Sequence, residues 1–286
     1  MGKENIIKMK HIELGKYNLL TVVKEVDFGV YLDGMDDGEI LLPTRYVPQD
    51  CKPGDVLNVF IYLDMDERLI ATTLQPYVQV GEFACLEVAW VNQYGAFLDW
   101  GLMKDLFVPF REQKMKMQKG GKYVVYVHID EESYRIVATA KVERYLRKEK
   151  PQYEAGEEVP VMLWQKTDLG YKVIVDNKYS GLIYQNEIFQ HVEPGMKMNA
   201  YVKQVREDGK IDIELQKGGR AKVDDFSEQL LEYIKDNGGV SEIHDKSDAD
   251  LIYDTFGVSK KTFKKAVGDL YKKHLVLLEP GKIRLA

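Results

Sequence analysis

The chain has 286 residues, of which 45% are hydrophobic and 30% are charged, and its formal net charge is −6. The length is enough for two or more globular domains, and the negative net charge by itself argues against a nucleic-acid-binding protein. Two cysteines are too few for a disulfide framework, so we interpret Cys51 and Cys85 as reduced side chains. The chain has no signal peptide pattern and no apolar run of membrane-spanning length, so we expect a cytoplasmic protein without membrane contact.

Charge is distributed unevenly along the chain. Residues 13–76 contain 12 acidic and 5 basic residues, a net charge of −7, whereas residues 80–142 contain 8 of each. The segment KGGRAKV, residues 217–223, has three basic residues and no acidic residue. Because phosphate groups are attracted to Lys and Arg, we expect any contact with a polyanion to avoid the first part of the chain.

One pattern occurs three times. The stretches KYNLLTVVKEVDFGVYLD, EFACLEVAWVNQYGAFLD and EEVPVMLWQKTDLGYKVIVD each follow a glycine, run as an alternating strand and reach a second glycine, at Gly29, Gly95 or Gly170. Each copy continues with another turn glycine 25 residues later, an alternating strand, a charged turn and a closing strand. About five short strands in each copy are typical of a small closed β-barrel.

The period of the apolar residues changes after the third copy. Residues 225–237 have helical spacing, residues 247–250 form a capping box before a short helix, and a third helix follows Ser259. The last segment, LVLLEPGKIRLA, is typical of a hairpin with Pro280-Gly281 in its turn. Three helices followed by a hairpin predict a winged helix-turn-helix.

These patterns predict a mainly β chain with a small α+β domain at its C-terminal end. The predicted parts are a first barrel over residues 1–76, a second over 77–142, a charged linker over 143–155, a third barrel over 156–216, a basic linker over 217–223 and a winged helix over 224–286. We expect residues 141–150 to form an exposed connecting helix. The five histidines are scattered, and the chain has no phosphate-binding loop and no nucleophile motif, so we expect neither catalysis nor a cofactor.

The motifs of each copy resemble the S1 RNA-binding domain, a five-stranded OB-fold. Their order is a strand, Phe-Gly-x-aromatic, Gly-Leu-x-x, Gly-Asp-x-Val and Asp-x-x-x-Arg. Three tandem S1-type OB-fold barrels followed by a winged helix look like the conserved virulence factor B (YitL-like) family of bacterial RNA-binding proteins, from about Gly15 to Ala286. The resemblance implies regulation of gene expression, including virulence traits in some relatives.

The resemblance also implies where RNA binds. S1 domains bind single-stranded RNA with two aromatic residues beside the motif glycine, a histidine in the third strand, and a later Asp and Arg. The candidates at or beside these positions are Phe28, Tyr31, Asp64 and Arg68 in copy one, Tyr94 and Phe97 in copy two, and Tyr171, Lys172, Tyr184 and Lys210 in copy three. No copy has the full set of family residues.

The aromatic pair of copy two has a physical logic of its own. Residues three apart in a regular strand point to opposite faces, and a bulge at Gly95 would bring Tyr94 and Phe97 to the same face. We expect Phe97 to be the exposed ring, and for Tyr94 and Phe28 core packing and exposure remain alternatives. The acidic surroundings of Phe28 would repel phosphate, so we expect copy one to be mainly structural or to contact protein.

Basic side chains near these rings are candidate phosphate contacts. They are Arg111, Lys114, Lys116 and Lys122 in a loop of copy two, Lys217, Arg220 and Lys222 in the basic linker, and Lys260, Lys261, Lys264, Lys265 and Lys272 in the third helix of the winged helix. Lysine suits phosphate contact without base selection, whereas base readout favours Arg, Asn and Gln. A solvated face without a ligand is the alternative for the loop and for the helix.

We therefore expect a non-enzymatic protein that binds single-stranded RNA and acts after transcription. Copies two and three, the basic linker and the lysine-rich helix would form one discontinuous surface. One alternative is a regulator whose winged helix binds duplex DNA. Another is a scaffold whose barrels dock on ribosome-associated proteins or on an RNA-processing complex.

Overall fold

Three closed five-stranded barrels follow one another along the chain, and a winged helix comes after them. The computed structural model describes residues 11–188, 191–215 and 220–286, with the backbone alone at residue 186 and at residues 220–225. The chain divides into two compact units. Met1–Tyr145 contains the first two barrels, and Leu146–Ala286 contains the third barrel and the winged helix.

The three barrels share one strand order, 1-2-3-5-4, in which the third and fifth strands are parallel and the other neighbours are antiparallel. Barrel one consists of β1 (Tyr17–Val26), β2 (Gly29–Asp33), β3 (Glu39–Pro43), β4 (Val56–Leu63) and β5 (Leu69–Thr72). Barrel two consists of β6 (Phe83–Val91), β7 (Gly95–Asp99), β8 (Leu106–Pro109), β9 (Lys122–Ile129) and β10 (Ile136–Thr139). Barrel three consists of β11 (Glu158–Thr167), β12 (Gly170–Val175), β13 (Tyr179–Tyr184), β14 (Lys197–Val205) and β15 (Ile211–Glu214). The OB-fold prediction is confirmed.

The repeated glycine lies where the second strand of each barrel passes the backbone of the third. A Cβ atom on Gly29, Gly95 or Gly170 would lie 2.2, 2.2 or 2.0 Å from the carbonyl oxygen of Leu42, Val108 or Ile183, respectively. Real Cβ atoms do not approach other atoms so closely. The repeat therefore requires glycine because another backbone lies against it, which is one of the two usual reasons for a glycine inside a strand.

The predicted bulge at Gly95 is wrong. The irregularity in the pairing of β6 with β7 lies on β6. The register shifts there between Val88 and Trp90, so Ala89 is the extra residue. The first strands of barrels one and three have a register shift at the matching position. The bulge places Trp90 directly opposite Phe97.

Side chains of barrel one extend the apolar core of barrel two. The ring of Phe60 in β4 makes edge-to-face contacts with Tyr17, at a centroid distance of 5.5 Å, and with Trp100 after β7, at 5.8 Å. Phe60 and Trp100 are buried in the same cluster of apolar side chains. Burial of large aromatic side chains is a major source of stability, so this contact holds barrels one and two together as one unit.

The segment after barrel two does not form the predicted connecting helix. Only residues Val142–Arg144 form a single 3₁₀ turn. Val142 is buried, and the ring of Tyr145 stacks on Tyr126 of β9 at a centroid distance of 4.1 Å. These apolar contacts fix the segment on the barrel, whereas the mixed charges of the sequence favoured an exposed helix.

The C-terminal domain is a winged helix, as predicted. It consists of α1 (Arg220–Asp236), β16 (Val240–Ser241), α2 (Ala249–Phe256), α3 (Lys260–Lys272), β17 (Val276–Glu279) and β18 (Lys282–Leu285), with β18 in the middle of the sheet. Its helices enclose one core that includes Phe226, Leu230 and Phe263. Helix α1 begins at Arg220, so residues 220–223 are helical and do not belong to a linker.

Two further observations concern the described part of the chain. No helix there is long and apolar enough to cross a membrane. The structure also places no group of three or more His, Cys, Asp or Glu side chains where they could hold a metal ion among those residues. Cys51 and Cys85 are both partly buried, and no disulfide bond joins them.

Candidate nucleic-acid interface

Three aromatic rings form a row across the outer surface of barrel two. Trp90 of β6 lies opposite Phe97 of β7, which in turn lies opposite Phe107 of β8. The rings of Trp90 and Phe97 are stacked, with centroids 3.7 Å apart and planes 3° apart, and the rings of Phe97 and Phe107 are 4.9 Å apart. Trp90 remains 42% exposed. We refer to Trp90, Phe97 and Phe107 as the aromatic row.

Hydrogen bonds fix both the row and the turn beside it. The indole Nε1–H of Trp90 donates to the Asp105 carboxylate at 2.7 Å. In the β6–β7 turn, the side-chain oxygen of Asn92 accepts hydrogen bonds from the backbone N–H groups of Tyr94, at 2.8 Å, and Gly95, at 3.2 Å. The turn thus holds the ring of Tyr94 at the tip of the hairpin, where it is 64% exposed.

The expectation that Phe97 is the exposed ring of the pair is wrong. Phe97 is partly buried because Trp90 covers one side of its ring and Phe107 lies against it. Tyr94 is the exposed member. Sequence analysis also missed Trp90 and Phe107. Counting residues outward from the β6–β7 turn pairs Val91 with Ala96 and Trp90 with Phe97, and that count was the available signal.

The same positions carry other side chains in the other two barrels. In barrel one the row is Lys24, Tyr31 and Leu41, with the Lys24 Nζ atom 4.8 Å from the centre of the Tyr31 ring. In barrel three the row is Gln165, Lys172 and Leu182. Among the described strands, therefore, barrel two alone has an aromatic side chain at all three positions.

In barrel one, Tyr31 lies in the row, and the other three predicted residues lie outside it. Phe28 is exposed at the β1–β2 turn and makes an edge-to-face contact with Tyr31 at 6.3 Å. Asp64 and Arg68 are paired with each other, with the Arg68 Nε atom 3.0 Å from the Asp64 carboxylate. Partial burial alone would raise the pKa of Asp64, but hydrogen bonds from the backbone and side chain of Arg68 outweigh it and lower the pKa.

Barrel three buries one of its predicted residues. Tyr171 takes the inward position that Val30 and Ala96 occupy in the other barrels, and its hydroxyl donates to the backbone oxygen of Val192 at 3.1 Å. Its ring is part of the core, so the expectation that Tyr171 lies at a surface for RNA is wrong. Burial follows from the strict alternation of β12.

The remaining candidate residues of barrel three already contact other side chains. They are Lys172, Tyr184 and Lys210. The Arg206 guanidinium donates to the hydroxyl of Tyr184 and to the buried carboxylate of Asp212. The hydrogen bond to Asp212 raises the pKa of Arg206. Lys172 lies with its Nζ atom 5.2 Å from the ring of Trp164, and Lys210 forms an ion pair with Asp208 at 2.7 Å. These contacts occupy the site where the S1 resemblance places ligand-binding residues.

The basic loop of barrel two is partly paired. Arg111 donates to the Asp130 carboxylate at 3.0 Å, and Lys114 lies 2.6 Å from Glu143. The pKa of Asp130 is lowered, first by the backbone N–H of Ser133 and to a smaller extent by Arg111. The other two predicted cations of the loop, Lys116 and Lys122, are exposed and form no ion pair with any described residue.

Helix α3 presents a face of lysines. Lys261, Lys264, Lys265 and Lys272 are exposed, and none of them forms an ion pair within the described part of the chain. The opposite face of α3 is buried and includes Phe263 and Leu270. The hydroxyl of Ser259 caps the helix by accepting the backbone N–H of Thr262 at 3.2 Å. Lys260 is partly buried, and its Nζ atom lies 3.4 Å from the backbone oxygen of Lys246.

Three predicted cations cannot be placed in this surface. Lys217 lies outside the described residues. The backbones of Arg220 and Lys222 lie in the first turns of α1, and their side chains are not described.

Comparison with known proteins identifies two of the four domains and finds relatives that match most of the chain. Residues 14–74 match the S1 domain and residues 228–285 match the CvfB-like winged helix domain. The uncharacterized protein YitL of Bacillus subtilis is 29% identical over 276 residues, which are 93% of this chain and 92% of that protein. Conserved virulence factor B of Staphylococcus epidermidis is 22% identical over 281 residues, 95% of this chain and 94% of that protein. The chain resembles the conserved virulence factor B family over most of its length.

The chain thus has the domain order that its motifs indicate, three barrels followed by a winged helix. Among solved structures, it is similar to a multidomain protein with nucleic acid binding domains from Streptococcus pneumoniae, with 24% identity, 96% of this chain and 98% of that chain covered, and a TM-score of 0.42. OB-folds and helix-turn-helix domains are both architectures that bind nucleic acids. The combination of domains supports nucleic-acid binding.

Proposed function

We propose that this chain is a non-enzymatic, cytoplasmic protein that binds single-stranded RNA and regulates gene expression after transcription. The observation that carries the proposal is the aromatic row of barrel two, with Tyr94 beside it. OB-folds bind oligonucleotides on the face of their second and third strands and on the loop between the first two strands. Phe97 and Phe107 lie on that face of barrel two, and Tyr94 lies in that loop.

Aromatic surfaces of this kind favour unpaired bases. Stacking contributes about 1–3 kcal/mol per base and depends little on the sequence, because every base has a flat π-face. Bases within a duplex are already stacked on one another and are not available to a protein ring. The regulatory part of the proposal comes from the family resemblance that the sequence motifs carry.

Exposed lysines supply the contacts with phosphate. The face of α3 with Lys261, Lys264, Lys265 and Lys272 is the largest candidate, and Lys116 and Lys122 belong to barrel two. Lysine ammonium groups neutralise phosphate charge without reading bases, and they make binding weaker at high salt. We expect phosphate contacts from the lysines of each unit, in addition to the stacking of bases on barrel two.

The test is the affinity for a fluorescently labelled single-stranded oligouridylate, measured for wild type, Tyr94→Ala, Trp90→Ala and the control Leu19→Ala. Leu19 is 73% exposed on β1 of barrel one and lies outside the row. We expect Trp90→Ala and Tyr94→Ala each to weaken binding about tenfold, since one stacking contact is lost. Leu19→Ala should bind like wild type. Equal affinity of all four proteins would refute the proposal.

Duplex DNA is a second candidate ligand, because α3 has the position of the recognition helix in a helix-turn-helix. Its exposed face consists of lysines, which favour phosphate contact over base readout. Competition between unlabelled duplex DNA and single-stranded RNA of equal length distinguishes the two. We expect the RNA to compete more strongly, and a clear advantage of the duplex would replace the RNA proposal by the DNA one.

A further inference from the structure

A cavity of about 800 Å³ lies between barrels one and two. On the side of barrel two it is lined by the aromatic row and Tyr94. On the side of barrel one it is lined by the β4–β5 turn, residues 64–68, through Met65 and Glu67. The volume is within the range of pockets that enclose ligands the size of one or two nucleotides. The ligand-binding face of barrel two is therefore not an open surface, because a loop of barrel one lies across from it.

The β4–β5 turn is held rigidly in this position. The Asp64 carboxylate accepts the backbone N–H groups of Asp66 and Arg68, at 2.8 and 3.0 Å, and the side chain of Arg68. Glu67 adopts the left-handed conformation with φ of 61°. Lys104 of barrel two donates to the backbone oxygen of Asp64 at 2.7 Å. Asp64 and Arg68 thus shape a turn that presents Met65 and Glu67 to barrel two.

Glu67 neutralises two cations that line the cavity. Its carboxylate lies 3.0 Å from the Lys104 Nζ atom and 3.2 Å from the Arg135 Nε atom, both from barrel two. The third cation of the lining, Arg111, is paired with Asp130. Because each lining cation already faces a carboxylate, the interior favours a flat, uncharged group over a phosphate.

Two methionines beside the aromatic row remain exposed. Met65 is 73% exposed in the β4–β5 turn, and Met103, in the loop between β7 and β8, is 57% exposed. Exposed apolar side chains gathered around one cavity are typical of a binding site. Thioether groups are flexible and make favourable contacts with aromatic rings, so they adapt to bases of different shape.

We propose that an unpaired base of the bound strand enters this cavity, stacks on the aromatic row and contacts Met65 of barrel one. The inference rests on the proposed function and adds a role for barrel one. The acidic barrel, whose net charge disfavours phosphate, contributes an apolar wall to the site of barrel two. The phosphates of the strand remain outside the cavity.

The first experiment is photo-crosslinking of the full chain to an oligouridylate that contains 4-thiouridine, followed by mass spectrometry of the peptides. We expect adducts on peptides from both walls, one with Trp90–Phe97 and one with Met65. The second experiment compares the affinity of Met65→Gln with that of Leu19→Gln, because both wild-type side chains are 73% exposed on barrel one. We expect Met65→Gln to weaken binding about threefold or more through lost apolar contact, and Leu19→Gln to leave it unchanged.

The outcomes separate the two proposals. If adducts lie on barrel two alone and Met65→Gln binds like wild type, while Tyr94→Ala still weakens binding, the inference is wrong and the proposed function stands. If the oligouridylate neither crosslinks to barrel two nor responds to Tyr94→Ala, both are wrong. Thermal unfolding of each variant distinguishes a loss of affinity from a loss of folded structure.

Discussion

The three repeated glycines are explained by the carbonyl oxygens that face them. A glycine inside a strand is compatible with a bulge and with the close approach of another backbone, and the sequence of one strand cannot distinguish them. The distinction depends on the strand that lies opposite, which is distant in the chain. For Gly95 that strand is β8, whose Val108 carbonyl oxygen occupies the space of a side chain.

Replacement of Gly95 by alanine should therefore destabilise barrel two. The new Cβ atom would lie 2.2 Å from the Val108 oxygen, and backbone must move to relieve the contact. We expect a loss of about 1–3 kcal/mol in the free energy of unfolding, the usual range for overpacking. Urea denaturation followed by tryptophan fluorescence measures it, because Trp90 and Trp100 lie in barrel two. An unchanged midpoint would show that β7 and β8 separate at little cost.

Residues of the aromatic row show which parts of the site are predictable. Tyr94 and Phe97 are found from the motif, because the repeated pattern fixes their positions in each copy. The motif does not show which of the two rings is exposed. Exposure depends on the bulge at Ala89, which places Trp90 opposite Phe97. Tyr171 was misassigned for a related reason, since the alternation of β12 puts it in the core.

At the scale of elements, helices with strong amphipathic patterns are the most predictable. Helix α3 was found from its apolar positions and its Ser259 cap, both of which are local signals. The two-residue strand β16 has no local signal, because it exists only through its pairing with β18. The sequence predicts a helix over residues 141–150 because the contact between Tyr145 and Tyr126, which fixes part of this segment on barrel two, is not encoded locally.

Replacement of Gly268 in α3 by alanine should change the stability in the opposite direction to the replacement of Gly95. A Cβ atom on Gly268 would meet no other atom within 4 Å, and the residue lies inside the helix on the side of the lysines. Gly268→Ala should stabilise α3 by up to about 1 kcal/mol, because glycine is the weaker helix former. Thermal unfolding followed by circular dichroism checks it. A lower midpoint would indicate that the lysine face needs a flexible helix.

At the scale of the whole molecule, the acidic and basic parts of the chain are separate segments. Residues 13–76 have a net charge of −7, whereas α3 contains five lysines and one aspartate. A net charge of −6 is compatible with RNA binding because exposed charges act over only about 8 Å at physiological salt. The sequence shows which segments contain the cations. That these segments form one surface remains a prediction.

Salt dependence of RNA affinity tests this separation of charge. The logarithm of the binding constant falls with the logarithm of salt concentration by about 0.7 for each phosphate contact on a single strand. Combined replacement of Lys261, Lys265 and Lys272 by glutamine should therefore reduce the slope by up to about 2. The measurement is a titration with oligouridylate at four or more salt concentrations, which together span about an order of magnitude.

The control for this prediction is Asp36→Asn with Asp37→Asn on barrel one, which changes the net charge from −6 to −4 without touching α3, whereas the lysine variant changes it from −6 to −9. We expect the slope of this control to equal that of wild type, since the two carboxylates lie in the barrel that makes no phosphate contact. If the lysine variant keeps the wild-type slope, α3 does not contact phosphate, and the salt dependence must come from barrel two. If both variants change the slope, the field of the entire chain, and not the face of α3, controls binding.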